Sequence, residues 1–113
     1  MKLAKDLVAA STVPLVLSIL EGGESYGYAI IQRVRELSGG EMEWTDGMLY
    51  PVLHWLEEHR YVQAHWREAE SGRKRKYYAL KAAGKKYLAE QRTQWLTVHE
   101  TLRRAWKGKV QHA

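Results

Sequence analysis

The sequence predicts a mainly α fold with a small β-hairpin and a long C-terminal helix, and three observations carry that prediction. Apolar residues recur at helical spacing in three short segments before residue 61. Two alternating, aromatic-rich segments then flank Ser71-Gly72. Beyond Ala82 a further helical pattern runs nearly to the end of the chain. Three helices followed by a two-stranded hairpin is the order of a winged helix-turn-helix. The expected division is a winged unit over residues 1-80 and a dimerisation helix with its tail over 81-113, forming one structural domain.

The first helix is expected from about residue 4 to Leu20, stopped at Gly22-Gly23. Pro14 either kinks it or begins a second segment. Lys2 and Lys5 ahead of an apolar run resemble a secretory signal, but Asp6, Ser11, Thr12 and Pro14 interrupt the pattern and no small-residue cleavage site follows. At roughly 14 residues the run is also short of the roughly 20 that a bilayer requires. A core helix of a cytoplasmic protein is the expectation.

Helix two is expected to open at Ser25 as N-cap and to bury Gly27, Ile30, Ile31, Val34 and Leu37, with Gly39-Gly40 ending it. Helix three is expected to open at Thr45, with Asp46 favoured by the helix dipole in the first turn. Its stripe of Leu49, Val52, Leu53 and Leu56 leaves Gly47, Tyr50, Pro51 and His54 on the opposite face.

Val62, Ala64 and Trp66 alternate with Tyr61, Gln63 and His65, the period of a half-buried strand, and Arg75 to Leu80 returns as the second. From Ala82 to about Lys107 the pattern is helical over about 26 residues, or roughly 39 Å. Leu88, Trp95 and Leu102 recur every seven residues, as do Gln91, Val98 and Ala105. A small winged unit cannot bury so long a helix, whereas a second subunit can. Gly108 to Ala113 are read as frayed.

The 113 residues suit one domain with a modest core. A net charge of +5 and a pI near 9.5 favour anionic partners, either nucleic acid or an acidic membrane surface. Between Arg73 and Lys86 seven residues are basic (Arg73, Lys74, Arg75, Lys76, Lys81, Lys85, Lys86) and none is acidic. A basic hairpin tip beside a helix with a polar face suits a duplex backbone, because each neutralised phosphate releases condensed counterions. The bland reading of the same run is a solvated turn.

Without cysteine, disulfide scaffolds, thiolate zinc sites and cysteine nucleophiles are excluded. His54, His59, His65 and His99 lack paired metal-ligand spacing, and no carboxylate has a partner to tune it for acid-base work. No cofactor, metal or enzymatic activity is expected.

Gly47-Met48-Leu49-Tyr50-Pro51, with Leu53, Leu56-Glu57, Trp66 and Gly72 through Tyr78, resembles the PadR family of bacterial transcriptional regulators. So do Tyr26 through Ile30 and Leu80 through Gly84, and the similarity spans roughly residues 8 to 105. The short C-terminal part looks like the compact subgroup, some of whose members sense drugs or other planar aromatic molecules. The resemblance implies a cytoplasmic, homodimeric winged-helix repressor. Four positions depart from the family pattern: Met48 for Thr, Trp55 for a basic residue, Arg60 for Gly at a left-handed position, and Lys81 for a capping Thr.

The expected double-stranded DNA contacts are Thr45, Gly47, Met48, Tyr50, Pro51 and His54 on helix three and Arg73, Lys74, Arg75 and Lys76 in the wing, with Tyr28 and Lys5 as weaker contacts to the backbone. Thr45 and Pro51 are equally read as a cap and a helix-shaping residue. Leu88, Trp95, Val98, Leu102 and Trp106 are expected at the dimer seam. By resemblance, Trp95 stacks on a flat effector near the two-fold axis, with Leu88, Gln91, Val98 and His99 and, from the other subunit, Leu7, Val8 and Ser11 lining the cavity. Its bland reading is a packing residue. The runner-up function is a winged-helix module for ligand or protein binding that no longer reads DNA.

Overall fold

Helix α1 (Lys5–Glu21) leads into a two-residue strand β1 (Ser25–Tyr26), and helices α2 (Gly27–Leu37) and α3 (Asp46–Glu58) follow. Strands β2 (Val62–Glu68) and β3 (Lys74–Leu80) form the wing, and α4 (Ala82–His112) completes the chain. This computed structural model describes residues 1–112, with side chains through Lys107. Helix α4 thus passes through most of the stretch read as frayed, and Ala113 lies outside the described residues. The fold is the winged helix that the element order predicts. Its 62 Å long dimension reflects the projecting α4.

Helix α1 is continuous through Pro14, whose missing N–H leaves one helical carbonyl without its donor and does not divide the element. Gly39 and Gly40, at φ of 62° and 84°, end α2 in a conformation that a Cβ disfavours. Thr45 caps α3 as expected, its Oγ1 accepting the Met48 N–H at 3.3 Å. The core gathers Val16, Leu17 and Leu20 of α1, Ile30 and Val34 of α2, Trp44, and Leu49, Leu53 and Leu56 of α3. Val62 and Tyr78 of the sheet and Leu88 of α4 complete it.

Four expectations are corrected. Ser25 does not cap α2: it pairs with Tyr78 as Tyr26 pairs with Tyr77, so β1 makes a three-stranded sheet in the order β1-β3-β2. Tyr26 is the N-cap instead, with no side-chain hydrogen bond. Leu37, expected inside, is exposed on the last turn of α2, at the edge of an open hollow that Ser18 and Ile19 of α1 also line. Trp66 lies on the strand face of Val62 and Ala64 but is 66% exposed, because that face continues past the edge of the core. Leu88 is 1% exposed within its own chain, so it serves the core of one protomer and cannot be reserved for a second.

Two backbone positions explain how α4 meets the winged unit. Arg60 takes a φ of 61°, the left-handed value at which a glycine is the unstrained choice, and the chain turns there from α3 into β2. The Tyr61 carbonyl accepts the Lys81 N–H at 3.0 Å, and Gly84 lies so close beneath it that a Cβ would stand 2.1 Å from that oxygen. The rings of Tyr61 and Tyr87 stack in parallel at 4.4 Å above this contact, and Trp55 of α3 stacks on His59 at 4.0 Å beside them. Glu21 and Arg92, 3.0 Å apart, tie the end of α1 to α4.

Candidate nucleic-acid interface

Strand β3 carries the basic residues of the wing, and its register decides where each side chain goes. Residues alternate across the sheet, so Lys74, Lys76 and the buried Tyr78 share one face while Arg75 and Tyr77 share the other. The first face turns toward α3. On the second, the Arg75 guanidinium lies 4.5 Å over the Tyr26 ring and that of Arg67 lies 3.9 Å over Tyr77. Arg67 also pairs with Glu24, whose other carboxylate oxygen is 3.0 Å from His65. A hydrogen bond with Tyr77 and the charge of Glu24 raise the Arg67 pKa, so its charge is already answered within the protein.

The wing tip turns tightly. Ala69 donates its N–H to the Arg73 carbonyl and Gly72 donates to that of Ala69, both at 2.8 Å, with Gly72 at a φ of 82°. This presents Arg73 and Lys74 to solvent at the end of the ladder. Neither joins an ion pair among the described residues.

Between the wing, the start of α2 and the outer face of α3 lies a concave hollow of about 540 Å³. It is lined by Gly27, Tyr28, Tyr50, Arg73, Lys74, Arg75 and Lys76, all but Gly27 among the expected DNA contacts, and by Tyr26, Asp46 and Trp66, which were not. Tyr28 is exposed at its rim. Tyr50 also packs within the protein. Its hydroxyl lies over Gly27, where a Cβ would stand 2.5 Å from it, so any larger residue at 27 must displace the Tyr50 ring. The sequence alternation had set Trp66 on the face of Val62 and Ala64, and the register that puts it opposite Lys76, like the strand that carries Tyr26, emerges only in the structure.

The remaining expected contacts scatter. Gly47, Pro51 and His54 are exposed on the outer face of α3, outside the hollow, and Thr45 is exposed at its cap. Met48 departs from that face. It packs partly against the core and lines a separate apolar hollow of about 610 Å³ with Met1, Val8, Met42 and Lys5. Lys5 and Met48 therefore sit away from the hollow beside the wing.

On α4, Trp95 is half-buried in a shallow apolar hollow of about 300 Å³ with Pro14, Ser18, Leu88, Arg92, Leu96 and His99. Of the expected cavity residues it gathers Trp95, Leu88 and His99. Gln91 and Val98 lie outside it, as do Leu7, Val8 and Ser11 of the same chain, whose expected place came from a second subunit. Farther along, Leu96, Val98, Leu102 and Trp106 are all exposed, as is Leu7 near the start of α1. Among the described residues no helix is long and apolar enough to cross a membrane.

A family model described as the transcriptional regulator PadR-like family matches residues 16–90. In sequence the chain is 32% identical over 89 residues to the transcriptional regulator YqjI of Escherichia coli (strain K12), a match covering 79% of this chain and 41% of that protein. The chain thus spans less than half the length of that relative. A PadR family transcription regulator from Clostridium difficile is similar at 29% identity and a TM-score of 0.73, over 83% of this chain and 96% of that one. A transcriptional regulator from Clostridium thermocellum shares the fold at a TM-score of 0.80 and 24% identity, over 88% of this chain and 97% of that one.

Proposed function

This chain belongs to the PadR-like family of transcriptional regulators, and from that premise we propose that it is a homodimeric, sequence-specific repressor that binds duplex DNA in the cytoplasm. The observation that supports this most is the concave hollow that gathers Arg73, Lys74 and Arg75 beside the outer face of α3. A helix of this exposure enters a major groove, and cations one hairpin away meet the flanking phosphates. Gly47, Pro51 and His54 then face base edges, while Arg73 and Lys74 position the protein without reading sequence. Residues 1-80 hold this reading head, and the exposed apolar run of α4 pairs two copies.

The hollow around Trp95 supports a regulatory refinement. Its apolar lining and shallow shape suit one side of a planar aromatic molecule, and a two-fold axis at this point would supply a second indole. Such an effector relieves repression only through a difference in affinity between arrangements that space the two reading heads differently.

The test is titration of the protein with its own upstream DNA and with an unrelated duplex at several salt concentrations. Binding should weaken steeply with salt. Changing Arg73 and Lys74 together to alanine should weaken both duplexes alike and reduce the salt slope by about one per lost contact. A protein that binds neither duplex at low salt is instead a winged-helix module without DNA readout.

A further inference from the structure

One cation of the wing is placed unlike the others. Lys76 Nζ lies 3.6 Å from Glu57 Oε1, with the two side chains only 32% and 36% exposed. Beneath them the ring of Tyr78, itself buried in the core, lies 5.5 Å from the same ammonium. Glu57 is on the last turn of α3, and Lys76 is midway along β3, opposite Trp66. Among the described residues this is the one ion pair that joins the wing to α3.

We infer that Glu57 and Lys76 are positioning residues, a brace that fixes the separation between wing and recognition helix and so the spacing of groove and phosphate that one half-site must offer. The inference rests on the DNA-binding reading and deepens it. A helix and a wing that engage one duplex together must hold a fixed separation, and any freedom between them is lost on binding. Arg73 and Lys74, at the tip, can supply attraction but no such constraint. Lys76, farther along the strand and against α3, supplies the constraint. Its ammonium is held over a core ring against a carboxylate, which takes it from the set of phosphate contacts in which its sequence position had placed it. Asp46, the carboxylate that lines the hollow itself, belongs to the first turn of α3 and forms no ion pair with the wing among the described residues.

The sign of one substitution separates this role from simple charge. Glu57→Gln removes a negative group beside bound phosphates, so charge alone predicts tighter binding to every duplex. The brace predicts weaker binding to the protein's own upstream DNA, by about fivefold, with an unrelated duplex little affected. Lys76→Met should do the same and leave the salt slope unchanged, and the double variant should be no weaker than either single one. Lys74→Met, the comparison, should weaken both duplexes and lower the slope by about one per protomer. Hydrogen exchange in the protein without DNA supplies a second readout: amides of β3 around Lys76 should exchange faster in Glu57→Gln and Lys76→Met and at the wild-type rate in Lys74→Met.

Tighter operator binding by Glu57→Gln overturns the inference, as does a slope loss in Lys76→Met equal to that in Lys74→Met, or unchanged exchange in both brace variants. A wild-type protein that binds no duplex sinks the DNA-binding reading and the half-site role with it. The exchange measurement then still decides whether the pair holds the wing.

Discussion

Replacing Gly84 with alanine places two physical effects in opposition. In a helix interior the change ordinarily stabilises by about 0.5–1 kcal/mol, because glycine loses more backbone freedom on folding. Here the new Cβ would stand 2.1 Å from the Tyr61 carbonyl oxygen and 2.7 Å from Leu80 Cδ1. An unstrained contact needs about 3.4 Å, so α4 and the start of β2 must part by about 1 Å at a place where both sides are backbone. The carbonyl is not free to yield, because it accepts the Lys81 N–H at 3.0 Å. Overpacking of this kind costs about 1–3 kcal/mol, and loss of the hydrogen bond adds about 1 kcal/mol. After the propensity gain the net destabilisation is about 1–3 kcal/mol, a Tm lower by on the order of 10 °C. Urea unfolding followed by circular dichroism, at one protein concentration throughout, measures it. Gly47→Ala is the comparison: its Cβ meets nothing nearer than Thr45 Oγ1 at 3.7 Å, so the same substitution should stabilise there by about 0.5–1 kcal/mol. Equal or greater stability of Gly84→Ala would show that α4 does not rest on Tyr61 as described.

Arg60→Gly should raise stability by about 0.5–1 kcal/mol in the same assay, since φ is 61° there, and a loss would mean that the side chain contributes by packing. Burial, then the charge of Glu57 and the proximity of Tyr50, push the Tyr78 hydroxyl up from 10.0 to about 12. Because the folded-state pKa is the higher one, this stabilisation is complete below about pH 10 and is lost as pH rises toward 12, by at most about 3 kcal/mol. Tyr78→Phe should therefore flatten the alkaline fall in unfolding free energy, and an unchanged fall would assign it to other groups. If Trp95 flanks an effector, a planar cationic aromatic should quench tryptophan emission in the wild type and not in Trp95→Ala, with the dimer retained by light scattering. Quenching that persists in the variant would make Trp95 a packing residue.

What the sequence made legible was local. The Thr45 cap and the glycine pairs are each set by a few adjacent residues, and the structure places them where the pattern did, whereas the left-handed turn at residue 60 was signalled only by the family resemblance. Strand β1 was not legible, because Ser25-Tyr26 before a helical stripe has the signature of an N-cap and its partner, Tyr77-Tyr78, lies some fifty residues on. Heptad spacing grouped Leu88 with Trp95 and Leu102, but spacing cannot tell which partner a stripe meets, and the first turns of α4 meet their own winged unit. A run of four basic residues reads as one patch. Strand alternation and a carboxylate on another helix divide it into free cations, a ring-stacked one and a paired one.

The pairing of β1 with β3 makes residues 25 to 78 a closed ring in which α2 and α3 are both held. Helix α2 follows β1 without a loop, so the pairing of Tyr26 with Tyr77 fixes where it starts. Helix α1 is joined to this ring through Gly22, Gly23 and Glu24 and through its packing in the shared core. If two copies read DNA together, as proposed, a crosslink between them would fix the spacing of the two heads, where a crosslink inside one ring would not.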